Sequence, residues 1–507
     1  MKRLLRRFKS EDRGAALALV AGSMVLLLGM AAFGTDLAWF YLNASRVQRA
    51  ADAAALGGVV WMPANPGTAD ATALDIALRN GYDDADPDVT VTPAAIPGAP
   101  NELEVIVQDV VPTFFAKILG FDTMTISRTA RAEYIPPLKL GSPSNIFGND
   151  PSCYGVNADC AGNFWANIHG RNTDTVMGDA HGSFCAEGQG SVNGCAQNFS
   201  YRDTGYLYGV VPNGNSFSLE TLDMAFHYEL AAGPDNEDAQ RTGDHNNFCG
   251  TFESGCVGPT VVVNIFDPDP TPLDLSDNGS PVCSKTYAPQ PQIDPDSDPP
   301  FNGPPPPNWN WDTVCNVNSS SSPDGIWVVQ VVNVSSNENT SGLNRYSIRS
   351  SGGSNLFGLG DFSLFNNSTL TTTNFPLAEV PDYYAGKTFV VELYDPGDVA
   401  SGANGDLQLR DPSGAIYPSC EMEVRDEENQ SWTPRGTLSP CSFIVQNNGG
   451  ANDYDGDWVK LESVLPPPGS YVEGWWEISY VFSGGVQDTT TWRAYMIGNP
   501  IHLIPSP

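Results

Sequence analysis

The chain has 507 residues, more than the roughly 100–200 of a usual single domain, so at least two folded units are expected beyond any membrane or signal segment. Asp and Glu number 59 against 25 Lys and Arg, a net charge of −34, and 50 Gly with 41 Pro disfavour long helices. Phosphate binding draws its affinity from clustered cations, so this balance excludes nucleic acid as a partner, and the later part of the chain is expected to be loop-rich β structure.

Charge is unevenly placed. Residues 1–13 hold Lys2, Arg3, Arg6, Arg7, Lys9 and Arg13 against Glu11 and Asp12, while the other 494 residues, with 19 basic and 57 acidic groups, carry −38. From Gly14 to Thr35 there is no ionisable residue. At 1.5 Å per residue that run spans about 33 Å, enough to cross a bilayer once. The basic cluster before it favours a cytoplasmic N-terminus and places everything from Asp36 onward outside the membrane. A cleavable signal peptide is the alternative, because Gly29-Met30-Ala31 supplies small residues at the −3 and −1 positions of a cut.

No Pro occurs before Pro63, and apolar Leu37, Phe40, Tyr41, Ala44, Val47, Ala51, Ala54 and Ala55 recur at helical spacing. One helix is therefore expected from Gly14 to Leu56, its outer half amphipathic, with Asp36, Asn43, Arg46, Arg49 and Ala53 on the other side. A second helix over 69–80, strands over 89–92 and 103–107, and further segments at 112–120 and 124–134 complete a small α/β unit. The arrangement is that of a pilin: a membrane helix whose extension lies on a small sheet.

Three stretches here form a pattern: Arg13-Gly14-Ala15-Ala16-Leu17-Ala18-Leu19; Gly34-Thr35-Asp36-Leu37 with Tyr41-Leu42; and Arg46-Val47-Gln48-Arg49-Ala50-Ala51-Asp52-Ala53-Ala54-Ala55-Leu56-Gly57-Gly58. With Pro112-Thr113-Phe114-Phe115, Ile118-Leu119-Gly120 and Thr129-Ala130-Arg131-Ala132-Glu133, the first 135 residues resemble the TadE/TadG-like family of Flp (tight adherence) pilus assembly. Gln48, Ala51, Asp52 and Ala55 carry the family block. The family's pseudopilins have Glu at the fifth position after a cleaved Gly; Leu19 stands there, so the resemblance is to the uncleaved, TadG-like branch. It implies a pilus-assembly role, with other pilus-assembly proteins and the lipid bilayer as partners.

All ten cysteines lie between 153 and 441, and an even number in an exported chain reads as disulfides. Nearest-neighbour pairing gives Cys153–Cys160, Cys185–Cys195, Cys249–Cys256, Cys283–Cys315 and Cys420–Cys441, although sequence leaves the connectivity open. Two internal echoes stand out. Val261–Asp269 parallels Val390–Asp398, each a strand closing in an Asp-Pro turn; Phe164–Ile168 before Gly178-Asp179 parallels Arg345–Arg349 before Gly360-Asp361. They suggest two related β-sandwiches, the first carrying a cysteine-bearing insertion over 185–256, joined by the Asp/Pro-rich stretch 294–310.

Recognisable catalytic chemistry is absent from the sequence: there is no His-Glu-x-x-His, Walker loop or nucleophile elbow. Calcium is the one ligand the sequence brings forward, because Asp453, Asp455 and Asp457 alternate around a turn at Gly456. In the Trp475-Trp476 pair, strand alternation turns one ring inward.

The expectation is thus an α+β chain with an anchor over 1–35, a pilin-like stalk over 36–138, β-sandwiches over 139–293 and 311–507, and a linker at 294–310. Its role is structural and non-enzymatic, in a Tad/Flp-type pilus; the alternative is an anchored or secreted hydrolase or carbohydrate-binding protein.

Overall fold

The structure, a computed structural model, describes residues 2–62, 65–149, 164–184, 198–226, 257–269, 271–289, 310–319, 325–334, 340–368, 372–397, 404–426, 431–446, 450, 452–482 and 486–505. Residues 1–135 with 499–507 make one unit and 136–498 another. Cys153, Cys160, Cys185, Cys195, Cys249 and Cys256, most of the expected linker, and most of the expected insertion lie outside the described residues.

In the first unit a single helix, α1 (Lys2–Val59), runs without interruption through the apolar span. Its segment 16–59 is long and apolar enough to cross a membrane, and among the described residues nothing buries its apolar stretch. Helix α2 (Pro66–Arg79) starts where Asn65 accepts the Thr68 N–H at 3.0 Å and Pro66 takes the first turn, a position that needs no donor. Strands β1 (Val89–Ile96), β2 (Ala99–Pro112) and β3 (Thr123–Tyr134) follow as an antiparallel meander. Val47, Ala51, Ala54, Ala55 and Val59 of α1 pack with Ala69, Ala73 and Ala77 of α2 on Leu103, Val105, Val107, Ala130 and Ala132 of the sheet. Small side chains make this approach close: a Cβ on Gly58 would lie 2.8 Å from the Ala69 carbonyl oxygen.

Two details differ from expectation. The chain's last strand, Ile501–Ile504, leaves the β region and pairs with β3, Ile501 lying opposite Tyr134. The stalk therefore ends with residues that local pattern assigned to a β-sandwich. The inward face of α1 is also rotated next to the apolar span. Asp36 and Asn43 are buried there, because their polar groups find backbone partners, while Leu37 and Tyr41 stay exposed.

The second unit is built from two long sheets. Its first half holds β4 (Lys139–Leu140), β5 (Ile146–Phe147), β6 (Phe164–His169), β7 (Tyr206–Val211), β8 (Ser216–Leu222), β9 (Val261–Phe266), β10 (Cys283–Tyr287), β11 (Asp312–Asn318), β12 (Trp327–Asn333), β13 (Leu343–Ser350) and β14 (Asn355–Leu359). Its second half holds β15 (Asp361–Ser368), β16 (Thr372–Val380), β17 (Thr388–Tyr394), β18 (Asn404–Arg410), β19 (Cys420–Arg425), β20 (Thr433–Leu438), β21 (Ser442–Gln446), β22 (Trp458–Val464), β23 (Gly474–Phe482) and β24 (Val486–Met496). One sheet reads β10-β9-β12-β7-β14-β4-β16-β23-β18-β21 and the other β11-β8-β13-β6-β15-β24-β17-β22-β19-β20, with β5 beside β13. Ring pairs such as Phe217–Trp327, Phe389–Trp476 and Tyr480–Trp492 bridge the two sheets, so they pack face to face.

A tandem repeat is written in that order. Matching β4 with β15, β6 with β16, β7 with β17, and so on to β14 with β24 turns each sheet into the other read backwards. The halves are joined reciprocally: β4 reaches across to β16, and β15 reaches back to β6. The matching strand order divides at Gly360, with φ +78°, and not at the 294–310 stretch. Strands β11 to β14 pair into the first half, so 311–359 cannot belong to a separate second sandwich. Nor do the sequence echoes mark equivalent strands: β9 corresponds to β19, and β17 to β7. Central buried strands read alike as apolar runs whatever their place, which explains the mismatch.

Both described disulfides follow nearest-neighbour pairing, Cys283–Cys315 and Cys420–Cys441. Each ties the outer end of one sheet to the outer end of the other, once in each half. For the 32- and 21-residue separations the chain-entropy model gives roughly 3–4 kcal/mol apiece. Trp476 is fully buried and Trp475 is not, as alternation requires.

Candidate functional site

Three places in the structure concentrate polar side chains. The first is the stalk. The Asp36 carboxylate accepts the backbone N–H groups of Phe114 at 2.8 Å, Phe115 at 3.0 Å and Ala116 at 2.6 Å. It thereby satisfies the free donors at the start of the 3₁₀ turn Ala116–Leu119. Trp39 rests edge-on against Phe114, ring centroids 5.3 Å apart. About three turns further out, the Gln48 amide donates to Asp52 at 2.7 Å and to the Thr129 carbonyl of β3 at 3.3 Å, while Ala51 and Ala55 are fully buried. Gln48, Ala51, Asp52 and Ala55 are therefore joining residues, which lock the helix onto its sheet.

The second place is the seam between the two halves of the β unit. Asp361 opens β15 directly after Gly360 and is 3% exposed. Arg202 grips both of its oxygens, at 2.8 and 2.5 Å; His181 Nε2 lies at 3.3 Å and Arg493 at 3.6 Å. Burial alone would raise this carboxyl's pKa, but the charges and hydrogen bonds of His181 and Arg202 outweigh it and hold the group well below the usual carboxylate range. Arg493 also meets Glu392 at 3.3 Å, and the Tyr495 hydroxyl donates to Glu392 at 2.9 Å.

A second buried carboxylate, Asp179, accepts the N–H groups of His169, His181 and Gly182 at 2.7, 3.0 and 2.7 Å and the Tyr206 hydroxyl at 2.5 Å. Burial, then the Asp179 charge, pushes that phenol well above its ordinary value, whereas burial lowers the enclosed His169 imidazole to about 4. Thr491 of β24 donates to the Gly178 carbonyl at 2.8 Å and accepts the Ala180 N–H at 3.0 Å. The loop 178–183 of the first half is thus fastened to β24 of the second.

A cavity of about 570 Å³ opens beside this seam, lined by Arg202, Leu207, Leu273, Asp361, Arg493 and Tyr495 among others. Asp361 is shared by the Arg202 and Arg493 guanidinium groups and faces His181, which suits it to hold the seam. The two guanidinium edges in the cavity wall offer donors to a polar guest. The sequence pointed to the two carboxylates only through the Gly178-Asp179 and Gly360-Asp361 echo. Arg202, Tyr206 and Arg493 carried no local signal, since their partners are remote in the chain.

The third place is the acidic turn. Asp453, Asp455 and Asp457 lie beside the Asp-Pro turn after β17, where Asp395, held at φ +55°, accepts the Gly456 N–H at 2.8 Å and donates its own N–H to the Asp457 carbonyl at 2.9 Å. Among the described residues no group of three or more His, Cys, Asp or Glu is placed to share a metal ion. The turn's side chains are thus not gathered at one point as the calcium expectation requires.

Burial, with the neighbouring Asp426, Asp453 and Asp455, instead pushes Asp457 up to about 6 against the pull of Arg435. The folded state therefore holds this proton more tightly than the unfolded chain, and stability falls as pH rises from about 4 through 6. D457N removes the ionisation. It is expected to stabilise the protein by about 1 kcal/mol at pH 7, once screening at this half-exposed site is allowed for, and to have no effect near pH 4. Urea unfolding at the two pH values checks this; an equal gain at pH 4 contradicts it. Calcium that raised the wild-type midpoint but not that of D457N would restore the cation reading.

The fold and these sites define an α+β protein with one long apolar helix and a β-rich unit of two face-to-face sheets, its halves fastened at a charged seam. Residues 14–62 match the model of the Tad family, described as "Putative Flp pilus-assembly TadE/G-like", so the N-terminal segment carries a domain of that kind. No curated protein matches the chain. Among solved structures there is a match to a Paenibacillus xanthan lyase at 11% identity and a TM-score of 0.16, covering 78% of this chain and 34% of that one. A superposition that loose carries no argument about fold or activity.

Proposed function

We propose that the protein is a membrane-anchored, extracytoplasmic structural or assembly component of a Tad/Flp-type pilus or a related cell-surface apparatus. The observation that carries this reading is the position of the TadE/G-like match: residues 14–62 cover the apolar span and the helix half that the stalk sheet grips. Six basic residues before the span favour a cytoplasmic N-terminus, which leaves the stalk and the acidic β unit outside. Its partners are the bilayer and other assembly proteins, met through the exposed side of the stalk helix. The role is read as non-enzymatic: of the seam's buried carboxylates, Asp361 is taken up by ion pairs and Asp179 by hydrogen bonds to backbone N–H groups and the Tyr206 hydroxyl.

Protease added to intact cells, or to protoplasts where there is a wall, is expected to remove everything beyond Asp36 and leave an N-terminal tag protected. Deleting the gene is expected to abolish surface pili, restored by the wild-type chain. Soluble protein trimmed near Ala31 in the medium would show a signal peptide instead. A deletion strain that keeps its pili but loses glycan binding or cleavage would favour the hydrolase or carbohydrate-binding alternative, with the cavity beside Arg202 and Arg493 as its site.

A further inference from the structure

We propose that the turn formed by residues 114–121 is a second lipid contact, dipping its apolar side chains into the outer face of the bilayer beside the anchor helix. The turn's level is fixed by Asp36, the first charge after the uncharged span, whose carboxylate holds the N–H groups of residues 114–116. Its direction is fixed by a second tie. Gln48 meets Thr129 while Asp36 meets the turn, so over twelve helical residues, about 18 Å, the sheet descends along α1 toward the membrane. The turn between β2 and β3 is the membrane-side tip of that sheet.

Its composition is wrong for water. Ile118 and Leu119 are each 79% exposed and Phe121 64%, with Phe114 and Phe115 nearly half exposed, in a connection that should be polar. Lys117 is the turn's one charge, suited to anionic headgroups, and the Trp39–Phe114 pair stands at the depth where aromatic rings favour the lipid–water boundary. A lipid surface is the occupant because the patch continues the exposed apolar surface of the span itself. Two contacts fix a stalk's tilt and rotation where one helix leaves both free.

The inference rests on the anchor reading, so its test separates the two. Full-length protein carrying benzoylphenylalanine at position 119, or at exposed position 78 as control, is reconstituted in phosphatidylcholine–phosphatidylglycerol vesicles and irradiated. Lipid adducts are expected at 119 and not at 78. Protein that resists carbonate extraction yet gives no lipid adduct at 119 would overturn the lipid contact while sparing the anchor; protein extracted by carbonate would overturn the anchor, and the lipid contact with it. Cross-linking at 119 in cells to another protein alone would make the turn a protein-docking surface and overturn the proposal. The double variant I118S/L119S, changed only at exposed positions, is expected to keep its unfolding midpoint and its carbonate resistance. Trypsin should then cut after Lys117 in vesicles several-fold faster than in wild type; an unchanged rate counts against the proposal.

Discussion

D361A is expected to be the most damaging single change in the β unit, at about 3 kcal/mol or more. It removes the carboxylate that Arg202, Arg493 and His181 share, and breaking a buried pair by deleting one partner typically costs about 3–5 kcal/mol. The lower end is the better figure here, since both arginine side chains reach the cavity and can draw on water, whereas His181 is 3% exposed at its side chain. The sign of the pH dependence follows from the depressed carboxyl. Its contribution is complete above the ordinary carboxylate value and is lost as pH falls below about 4, toward its folded pKa, so the gap between wild type and D361A should narrow only in acid. Urea unfolding of the full chain in detergent, followed by near-ultraviolet circular dichroism, measures both. A loss under 1 kcal/mol at pH 7 would mean that Asp361 does not hold the seam.

A second large effect separates folding from assembly on one helix. Val47 is fully buried against the stalk sheet, so V47D places an unpaired carboxylate in the core, a change that should cost about 4 kcal/mol or more and leave the protein degraded. Tyr41 is 65% exposed, so Y41D should change stability by no more than about 0.5 kcal/mol while placing a charge on the face formed with Leu37 and Leu42. Steady-state protein level and pilus number, measured together, distinguish the cases. Normal level with lost pili is expected for Y41D; normal pili would show that this face does not meet the assembly partners.

These variants also show how far sequence reaches. Apolar periodicity places a helix over 14–56, within the observed 2–59, the missing charges mark its span, and the Gln48–Asp52 block lies where the helix is bonded to β3, because each of these signals is written within a few turns of chain. For Cys283–Cys315 and Cys420–Cys441 the observed partners are the nearest neighbours in sequence, a pairing that sequence offers but leaves open. The inward face next to the apolar span was not legible: Asp36 and Asn43 read as outward because they are polar, and only their backbone partners made burial tolerable.

What tertiary structure alone decided is the pairing of remote strands. The return of Ile501–Ile504 to β3, the repeat boundary at Gly360, and the joining of Arg202 to Asp361 across 159 residues leave no local trace. A strand's own residues specify which face is apolar but not which of many similar edges it will meet. That choice is made by the packing of both sheets at once and by the few buried charges that fit only one arrangement.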